Sequence, residues 1–297
     1  TWDEFTEEKA GINVINPKTI EDFKKYAVDR IPSIIAAKDH QAILEKLNLQ
    51  EDKKIKNAAL LLFGNNPQNN FISAKSRVGR FKSSINIADT VIAEGNIFNQ
   101  LEIVLEAIKK HLNVKFEIKD IQRKDVWDYP LEAIREAVIN SLIHKDYLST
   151  AEIQIKIYDD KIWIWNPGRL PSELKVDDLK KDHSSYPRNP LIANVFYLAG
   201  YIERWGSGTK RIVDLCKEQG LPEPEYKEEQ GGFSVWFFKD IYTEEILQKM
   251  GLNERQIKSV LYVKKRGKIT NKEYQQICSV KKRQRSEEHT SELQSHS

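Results

Sequence analysis

Residues 130–147 (PLEAIREAVINSLIHKDY) constrain the fold of this chain more than any other stretch. Their spacing predicts a helix with three apolar stripes: Leu131, Ile134, Val138 and Leu142; Ile139 and Ile143; Ala133 and Ala137. A helix that is apolar on nearly all sides is normally buried. Glu136, Asn140 and His144 recur at every fourth position, which places a carboxylate, an amide and an imidazole on one narrow side of the helix.

These three polar side chains need partners if the helix is buried. Either neighbouring parts of the protein form hydrogen bonds with them, or they face a cavity that holds a polar ligand. The helix alone does not distinguish between these interpretations, so the distinction must come from the residues C-terminal to it.

The chain has 297 residues, of which 40% are hydrophobic and 31% charged, and this length corresponds to about two ordinary globular domains. It contains no apolar run close to the ~20 residues of a membrane helix and no secretion signal, so we expect a cytoplasmic protein with no membrane partner. Cys216 and Cys278 are isolated, without a CxxC pair, and they predict neither a zinc site nor a disulfide framework.

Both ends of the sequence look artificial. Thr1 begins the chain in mid-pattern, so we expect native residues to be missing before it. Residues 285–295 (RSEEHTSELQS) have the sequence of a translated sequencing adapter, and we expect residues 285–297 to be a non-native tail. The alternative is a genuine polar tail, which would be disordered anyway.

Several other segments have clear periodicity. Helices are predicted at residues 17–27, 40–47, 96–112, 191–198 and 209–219, and strands at residues 114–121, 153–157, 162–165 and 231–238, the second and third of these strands forming a hairpin. Residues 57–63 (NAALLLF) predict either a buried strand or a short core helix. Trp163 and Trp165 could stack on bases, but paired aromatic side chains on one strand face indicate sheet packing.

Residues 71–82 (FISAKSRVGRFK) form a strand-like run that is rich in basic side chains. Lys75, Arg77, Arg80 and Lys82 could contact nucleic-acid phosphates. We favour the alternative, a solvated edge strand that its charges keep from pairing.

The formal net charge of +3 conceals a basic C-terminal segment. Residues 252–284 carry ten Lys or Arg and two Glu, which gives this segment a net charge of +8 and the remainder of the chain −5. Helices predicted at residues 254–265 and 271–277 fit a helix-turn-helix whose recognition helix starts at Ser279. Lys281, Lys282 and Arg283 would contact the DNA groove or backbone. A basic packing unit without a ligand is the alternative, and we favour DNA binding.

A glycine turn precedes the helix predicted at residues 209–219. Gly206 and Gly208 bracket Ser207, and Thr209 opens the helix; we call these four residues the lid turn. Such a turn can present backbone N–H groups and the positive end of the helix dipole to phosphate. The signal is weak alone, because glycines before a helix are more often caps or turns.

Four motifs occur in a fixed order: ExxxN at Glu136 and Asn140, NPGRLP at residues 166–171, SSYPRNP at residues 184–190 and ERWGSGTKRI at residues 203–212. Together they resemble the ATP-binding domain of the GHKL superfamily (gyrase, Hsp90, histidine kinases and MutL), in the branch found in prokaryotic transcriptional regulators. In that branch an AlbA-like, Schlafen-related DNA-binding domain precedes the ATP-binding domain, and a winged helix often follows it. Its members are frequently labelled as related to an ATP-dependent DNA helicase.

The resemblance implies an α/β protein in several parts. Residues 123–240 would form an α+β two-layer sandwich of Bergerat type. A mixed α/β connecting region at residues 1–122 would precede it, after a missing AlbA-like domain, and a partial winged helix-turn-helix at residues 245–284 would follow it. The resemblance also allows a homodimer.

The resemblance further implies roles for individual residues. Glu136 would be the general base that activates the attacking water, and Asn140 would bind Mg²⁺ and ATP. The other implied ATP-binding residues are Asn166 and Gly168 of the first glycine box, and Gly206, Ser207, Gly208 and Thr209 of the lid turn.

Asn166 departs from the superfamily pattern. Most members have an Asp there, whose carboxylate accepts a hydrogen bond from the adenine amino group. An Asn also accepts but brings a donor, so the sequence determines adenine selectivity less firmly than phosphate binding. His144 receives no role from the resemblance, and we favour a histidine that forms hydrogen bonds with residues behind the site.

These observations support three functions. The one that we favour is an ATP-binding, DNA-associated transcriptional regulator; the others are a slow Mg²⁺-dependent ATPase that uses Glu136, and an interaction scaffold with a vestigial nucleotide fold. Whether ATP is hydrolysed stays open. A P-loop helicase is excluded, because the 297 residues contain no GxxxxGK[ST] motif.

Overall fold

The computed structural model describes residues 1–8, 10–83, 85–119, 122–203, 206–240 and 242–278, without the side chains of residues 115–124 and 245. These residues form ten α-helices: α1 Pro17–Ala27, α2 His40–Lys46, α3 Asn57–Phe63, α4 Ile97–Lys109, α5 Leu131–His144, α6 Pro190–Leu198, α7 Gly208–Glu218, α8 Glu244–Lys249, α9 Glu254–Arg266 and α10 Asn271–Cys278. The described strands are β1 Thr6–Glu7, β2 Gln50–Glu51, β3 Lys54–Lys56, β4 Ser76–Phe81, β5 Ile87–Ala93, β6 Val114–Lys119, β7 Gln122–Trp127, β8 Ile153–Ile157, β9 Lys161–Pro167, β10 Glu225–Glu229 and β11 Gly232–Phe238. The fold is mixed α/β.

Six of the described strands form one mixed sheet in the order β10-β11-β9-β8-β4-β5. Its neighbouring strands are antiparallel except β4 and β8, which run parallel. The predicted hairpin of β8 and β9 is confirmed, with Ile155 opposite Ile164. The remaining described strands form a small sheet in the order β1-β3-β2 and the hairpin β6-β7.

The prediction that residues 71–82 form a solvated edge strand is wrong. β4 lies inside the sheet, paired with β5 on one side and β8 on the other. Its basic side chains do not prevent this because carboxylates lie beside them: Arg77 forms an ion pair with Glu152 at 2.9 Å, and Arg80 pairs with Asp159. With these charges paired, the backbone of β4 can form hydrogen bonds with strands on both sides.

Residues 57–63 form a helix rather than a strand. All the residues of α3 are buried. Its Ala and Leu side chains are strong helix formers, and it contains no β-branched residue. Groups at the helix ends find partners outside the segment: the N–H of Asn57 donates to the carbonyl of Phe5 at 2.8 Å, and the carbonyl of Phe63 accepts from the N–H of Asn16 at 2.6 Å.

The Trp163 and Trp165 rings pack within the sheet, as predicted. Their centroids are 6.2 Å apart in a stacked arrangement, and the two residues are 2% and 5% exposed. The indole N–H of Trp163 donates to the Glu229 carboxylate at 2.8 Å, and that of Trp165 donates to the Glu229 carbonyl at 3.0 Å. With their faces covered, these rings are not available for base stacking.

The core lies between the large sheet and the helices that pack on it. α4 contacts β4 and β5, and α5 contacts α4, α6, α7 and β9. On β8, Ile153, Ile155 and Ile157 alternate with polar residues and are buried. α5 is therefore held between the sheet and neighbouring helices, as its apolar stripes predict.

Two compact units, Thr1–Lys239 and Asp240–Ser297, divide the chain. In the second unit α8 and α10 pack on α9. Helices were predicted at the positions of α9 and α10, and both are confirmed. The winged helix-turn-helix stays a prediction, and Lys281, Lys282 and Arg283 lie outside the described residues. The division at residues 122 and 123 also stays a prediction.

Across the described ranges, no helix combines the length and apolarity needed to cross a membrane.

Candidate functional site

A cleft of about 1080 Å³, partly open to solvent, lies beside α5. Its other walls come from the ends of β9 and β11, the loop that follows β9, and the start of α7.

Glu136, Asn140 and His144 all line this cleft. The opposite sides of α5 are buried, with Ala133, Ile139 and Leu142 at most 1% exposed. Of the two interpretations of the polar stripe, a cavity rather than hydrogen bonding to neighbouring protein therefore holds. Between the stripe residues there is one hydrogen bond in the described chain: the Asn140 Nδ2 donates to Glu136 Oε1 at 3.4 Å.

Burial raises the pKa of the Glu136 carboxyl above its ordinary value. The positive charge of Arg211 and the hydrogen bond from Asn140 oppose this shift. A carboxyl group whose pKa is moved toward neutrality is suited to accept a proton at physiological pH. The carboxyl group of Glu136 is therefore protonated more readily than that of an exposed glutamate.

The lid turn brings the start of α7 against this carboxylate. A Cβ atom on Gly208 would collide with Glu136 Oε1 and would lie 3.6 Å from Asn140 Nδ2. A side chain at this position would displace the end of the Glu136 side chain, so glycine keeps the helix start and this carboxylate side by side. Because the first N–H groups of any helix lack intrahelical partners, the positive end of α7 meets the carboxylate and the amide here.

Gly206 has a different requirement. Its φ of +66° is in the left-handed region, and a Cβ there would collide with the carbonyl oxygen of His183. The side chain of Ser207, the residue before α7, makes no capping hydrogen bond. It is also absent from the residues that line the cleft, whereas Gly206, Gly208 and Thr209 are among them.

Two hydrogen bonds fix Thr209. Its hydroxyl oxygen lies 2.9 Å from Nε2 of His183, and its carbonyl accepts a hydrogen bond of 2.8 Å from the hydroxyl of Tyr226. His183 belongs to the loop after β9 and Tyr226 to β10, and both line the cleft. The start of α7 is thus connected to two other walls of the cleft.

Asn166 is 5% exposed and lies at the end of β9. Its Nδ2 donates to the carbonyl of Pro167 at 3.2 Å, and its Oδ1 has no hydrogen-bond partner among the described residues. In this orientation Asn166 offers the cleft an acceptor and uses its donor on the protein. The amide therefore keeps one acceptor oxygen that is free within the described chain, although it lacks the charge and the second oxygen of a carboxylate.

Gly168 follows β9, has a φ of +117°, and lies beside the C-terminal end of α5. A Cβ on Gly168 would lie 3.1 Å from the carbonyl oxygen of His144 and 3.1 Å from Nε of Arg188. The N–H of Asp146 donates to the carbonyl of Pro167 at 2.8 Å in the same place. The two glycine-containing segments predicted to bind a nucleotide thus lie at two separate parts of one cleft.

Comparison with known proteins adds to this geometry. Residues 150–237 match a family model described as "Putative ATP-dependent DNA helicase recG C-terminal". The match supports an ATP-binding, helicase-related domain in this part of the chain. The matched residues include Asn166, Gly168 and the lid turn. Glu136 and Asn140 lie before the matched residues.

The crystal structure of the DIP2311 protein from Corynebacterium diphtheriae has a similar fold, with a TM-score of 0.66 and 16% sequence identity. The similarity covers 95% of this chain and 58% of that one, so this chain spans little more than half the length of its structural relative. At this identity the similarity establishes the fold alone. A search of curated proteins found no match.

Sequence reasoning missed one residue that shapes the site, Asn189. It is 1% exposed, and its Nδ2 donates to the carbonyls of Ile143 at 2.7 Å and Lys145 at 2.9 Å, at the end of α5. In the sequence Asn189 precedes Pro190 and would be taken for the cap of α6. Asn189 does occupy the cap position, but its side chain makes no capping hydrogen bond, and the Asp3 carboxylate accepts from the N–H groups of Leu191 and Ile192 instead. Nothing local in the sequence signals this exchange.

Proposed function

We propose that this chain binds Mg²⁺-ATP in the cleft between α5 and the lid turn. The observation that carries the proposal is the position of Gly208, because a helix start, a half-buried carboxylate and an amide meet there at one end of the cleft. The family match over residues 150–237 supports a nucleotide as the ligand. The fold would then be a Bergerat-type sandwich of the GHKL superfamily.

The phosphates would lie at the start of α7. Backbone N–H groups in the first turn of a helix and the positive end of its dipole favour bound anions. Gly206 and Gly208 carry no side chain that would separate the backbone from a phosphate oxygen. Lys210 follows within the same turn, but its ammonium group is paired with Asp182 at 3.0 Å, so phosphate binding here would depend on the backbone.

The adenine base would lie toward the end of β9. The Oδ1 of Asn166 faces this part of the cleft as an acceptor and suits the amino group of adenine. The oxygen at the corresponding position of guanine is itself an acceptor and would meet Oδ1 without a donor between them. The orientation of Asn166 therefore favours adenine despite the departure from Asp.

The residues present fit a magnesium nucleotide better than a metal site made of protein alone. No group of three or more His, Cys, Asp or Glu among the described residues could hold a metal ion. Mg²⁺ usually takes one or two protein oxygens and completes its shell with phosphates and water. Asn140 would supply one such oxygen, since its Oδ1 has no partner in the described chain. Bound Mg²⁺ would neutralise phosphate charge.

Hydrolysis is the second candidate function. The raised pKa of Glu136 and its place beside the lid turn favour a role in orienting and deprotonating a water near the terminal phosphate. A slow Mg²⁺-dependent ATPase would result. An interaction scaffold without nucleotide is the third candidate, and the open cleft with its polar stripe argues against it.

We further propose that the chain is a DNA-associated transcriptional regulator. The net charge of +8 on residues 252–284 supports contact with phosphates, and α9 and α10 are compatible with a helix-turn-helix. The nucleotide would set the state of the lid turn, which in turn would influence DNA binding.

A titration of the whole chain with Mg²⁺-ATP, followed by hydrolysis rates, tests the nucleotide functions. We expect saturable binding, and we expect Glu136→Ala to lower any hydrolysis rate by about 100-fold or more, as loss of a general base does. Glu132→Ala is the matched control, because Glu132 lies one turn away on the same helix, is exposed and pairs with Arg211 at 2.7 Å. It should leave the rate within about twofold.

The possible outcomes separate the candidate functions. Binding without turnover that depends on Glu136 excludes the ATPase and retains the ATP-binding regulator. Absence of binding excludes both and leaves the scaffold.

A further inference from the structure

His144 is a cleft-lining side chain that the proposed function does not use. Its imidazole has no hydrogen-bond partner among the described residues. The interpretation of His144 as a histidine that forms hydrogen bonds behind the site is therefore wrong. The residue is half-buried and lines the cleft, so a ligand that fills the cleft would displace water from the ring and could form hydrogen bonds with it.

The position of His144 indicates which part of a ligand it would meet. It lies one helical turn, about 6 Å, beyond Asn140 on the side away from Glu136. Its own carbonyl is beside Gly168, at the end of β9. His144 therefore lies between the proposed phosphate end of the cleft and the proposed base end near Asn166.

The charge state of the ring limits which groups of a ligand His144 can bind. Burial, together with the positive charge of Arg188 and the neighbouring His183, lowers the pKa of His144 to about 4. The ring is then neutral at physiological pH, with one donor and one acceptor. A neutral imidazole contributes no charge to a phosphate, whereas it can donate to or accept from a sugar hydroxyl or the edge of a base.

We propose that His144 is a specificity-determining residue that hydrogen-bonds to the nucleoside part of the bound nucleotide. This inference rests on the proposed binding of ATP in the same cleft. It assigns His144 to recognition of the ribose hydroxyls or the N7 edge of the base, and it assigns no part in phosphate chemistry.

Two substitutions in the whole chain test this role. His144→Leu keeps a similar volume and removes both hydrogen-bonding groups, while His144→Gln keeps a donor and an acceptor. Since the ring has no partner in the described chain, neither substitution orphans a protein group, and both variants should unfold at nearly the same temperature as the wild type. We expect His144→Leu to weaken Mg²⁺-ATP binding about tenfold and His144→Gln to stay within about threefold of the wild type.

Nucleotide analogues supply a readout that a purely structural role would not change. The wild type and His144→Leu are each titrated with 2′-deoxy-ATP, 3′-deoxy-ATP and 7-deaza-ATP. One of these analogues should lack the ligand group that bonds to His144. The wild type should bind that analogue more weakly than ATP. His144→Leu should bind that analogue and ATP equally well, because the substitution has already removed the same interaction.

The results distinguish this inference from the proposed function. If the wild type does not bind ATP, the proposed function and the inference both fail. If the wild type binds ATP and His144→Leu binds it equally well, only the inference fails. It also fails if His144→Leu weakens ATP and all three analogues by the same factor, since His144 would then act on the phosphates or on the shape of the cleft.

Discussion

Gly206 and Gly208 both belong to the lid turn, but a side chain would meet different obstacles at the two positions. Gly208 is not in the left-handed region, and its lack of a side chain matters because Glu136 lies against it. Gly206 needs its φ of +66° and also lies against the carbonyl of His183. A pattern of two glycines in a sequence does not reveal either requirement.

Alanine substitutions separate the cost of a positive φ from the cost of a collision between a Cβ atom and its neighbours. Gly220 has a φ of +74° with open space where a Cβ would be, so Gly220→Ala should cost about 1 kcal/mol in the free energy of unfolding. Gly206→Ala has the same strain and a collision with His183, and it should cost about 1–3 kcal/mol more. Denaturant unfolding of the two variants measures the difference. Equal losses would contradict the close contact at Gly206.

At the scale of elements, α5 is positioned at its C-terminal end by residues far along the chain. Asn189 donates to the carbonyls of Ile143 and Lys145, and the N–H of Asp146 donates to Pro167. These contacts satisfy carbonyl groups that a buried helix end would otherwise leave without donors. They also fix the direction in which Asn140 and His144 face the cleft.

Asn189→Ala should destabilise the chain by about 1–3 kcal/mol, because it leaves two buried carbonyl groups without their donor. Asn65→Ala is the matched control. The Nδ2 of Asn65 donates to the carbonyl of Val14 at 3.1 Å in an exposed place, where water can replace it, so the expected loss is about 0.5 kcal/mol or less. Thermal or denaturant unfolding measures both. A loss for Asn189→Ala no larger than that for Asn65→Ala would show that Asn189 does not hold the end of α5.

At the scale of the whole molecule, charge is distributed unevenly along the chain. Residues 252–284 carry +8 and the remainder of the chain −5. All of this basic segment belongs to the second unit, whose helices α9 and α10 are amphipathic in sequence and packed together. The cleft, by contrast, is built entirely from residues of the first unit. The proposed nucleotide and DNA sites are thus on separate units.

DNA binding by the whole chain should fall steeply with salt. Replacing Lys281, Lys282 and Arg283 with Ala should reduce the slope of log K against log[salt] by about 2.7, if each of the three neutralises one phosphate of duplex DNA. The control replaces Lys18, Lys24 and Lys25 of α1, which belong to the first unit, and should leave the slope unchanged. Affinity measured by fluorescence anisotropy at several salt concentrations gives the slopes. A flat salt response, or an equal change in the control, would contradict the assignment.

The sequence by itself determined those parts of this protein that depend on local spacing. The apolar stripes fixed α5 as a buried helix, the alternation of Ile residues fixed the β8–β9 hairpin, and the every-fourth-residue pattern placed Glu136, Asn140 and His144 on one side. Such periodicities are properties of the backbone geometry of a helix or a strand, so they can be read without knowledge of distant residues.

Only the tertiary structure decided where these elements lie relative to one another. It placed β4 inside the sheet, where Glu152 and Asp159 neutralise Arg77 and Arg80. It also brought the Asp3 carboxylate, rather than the side chain of Asn189, to the first N–H groups of α6. It also left His144 facing a cavity without a partner in the described chain. Each of these outcomes depends on contacts between residues that are distant in sequence. Such contacts produce no periodic pattern in the sequence, so they cannot be predicted from local spacing.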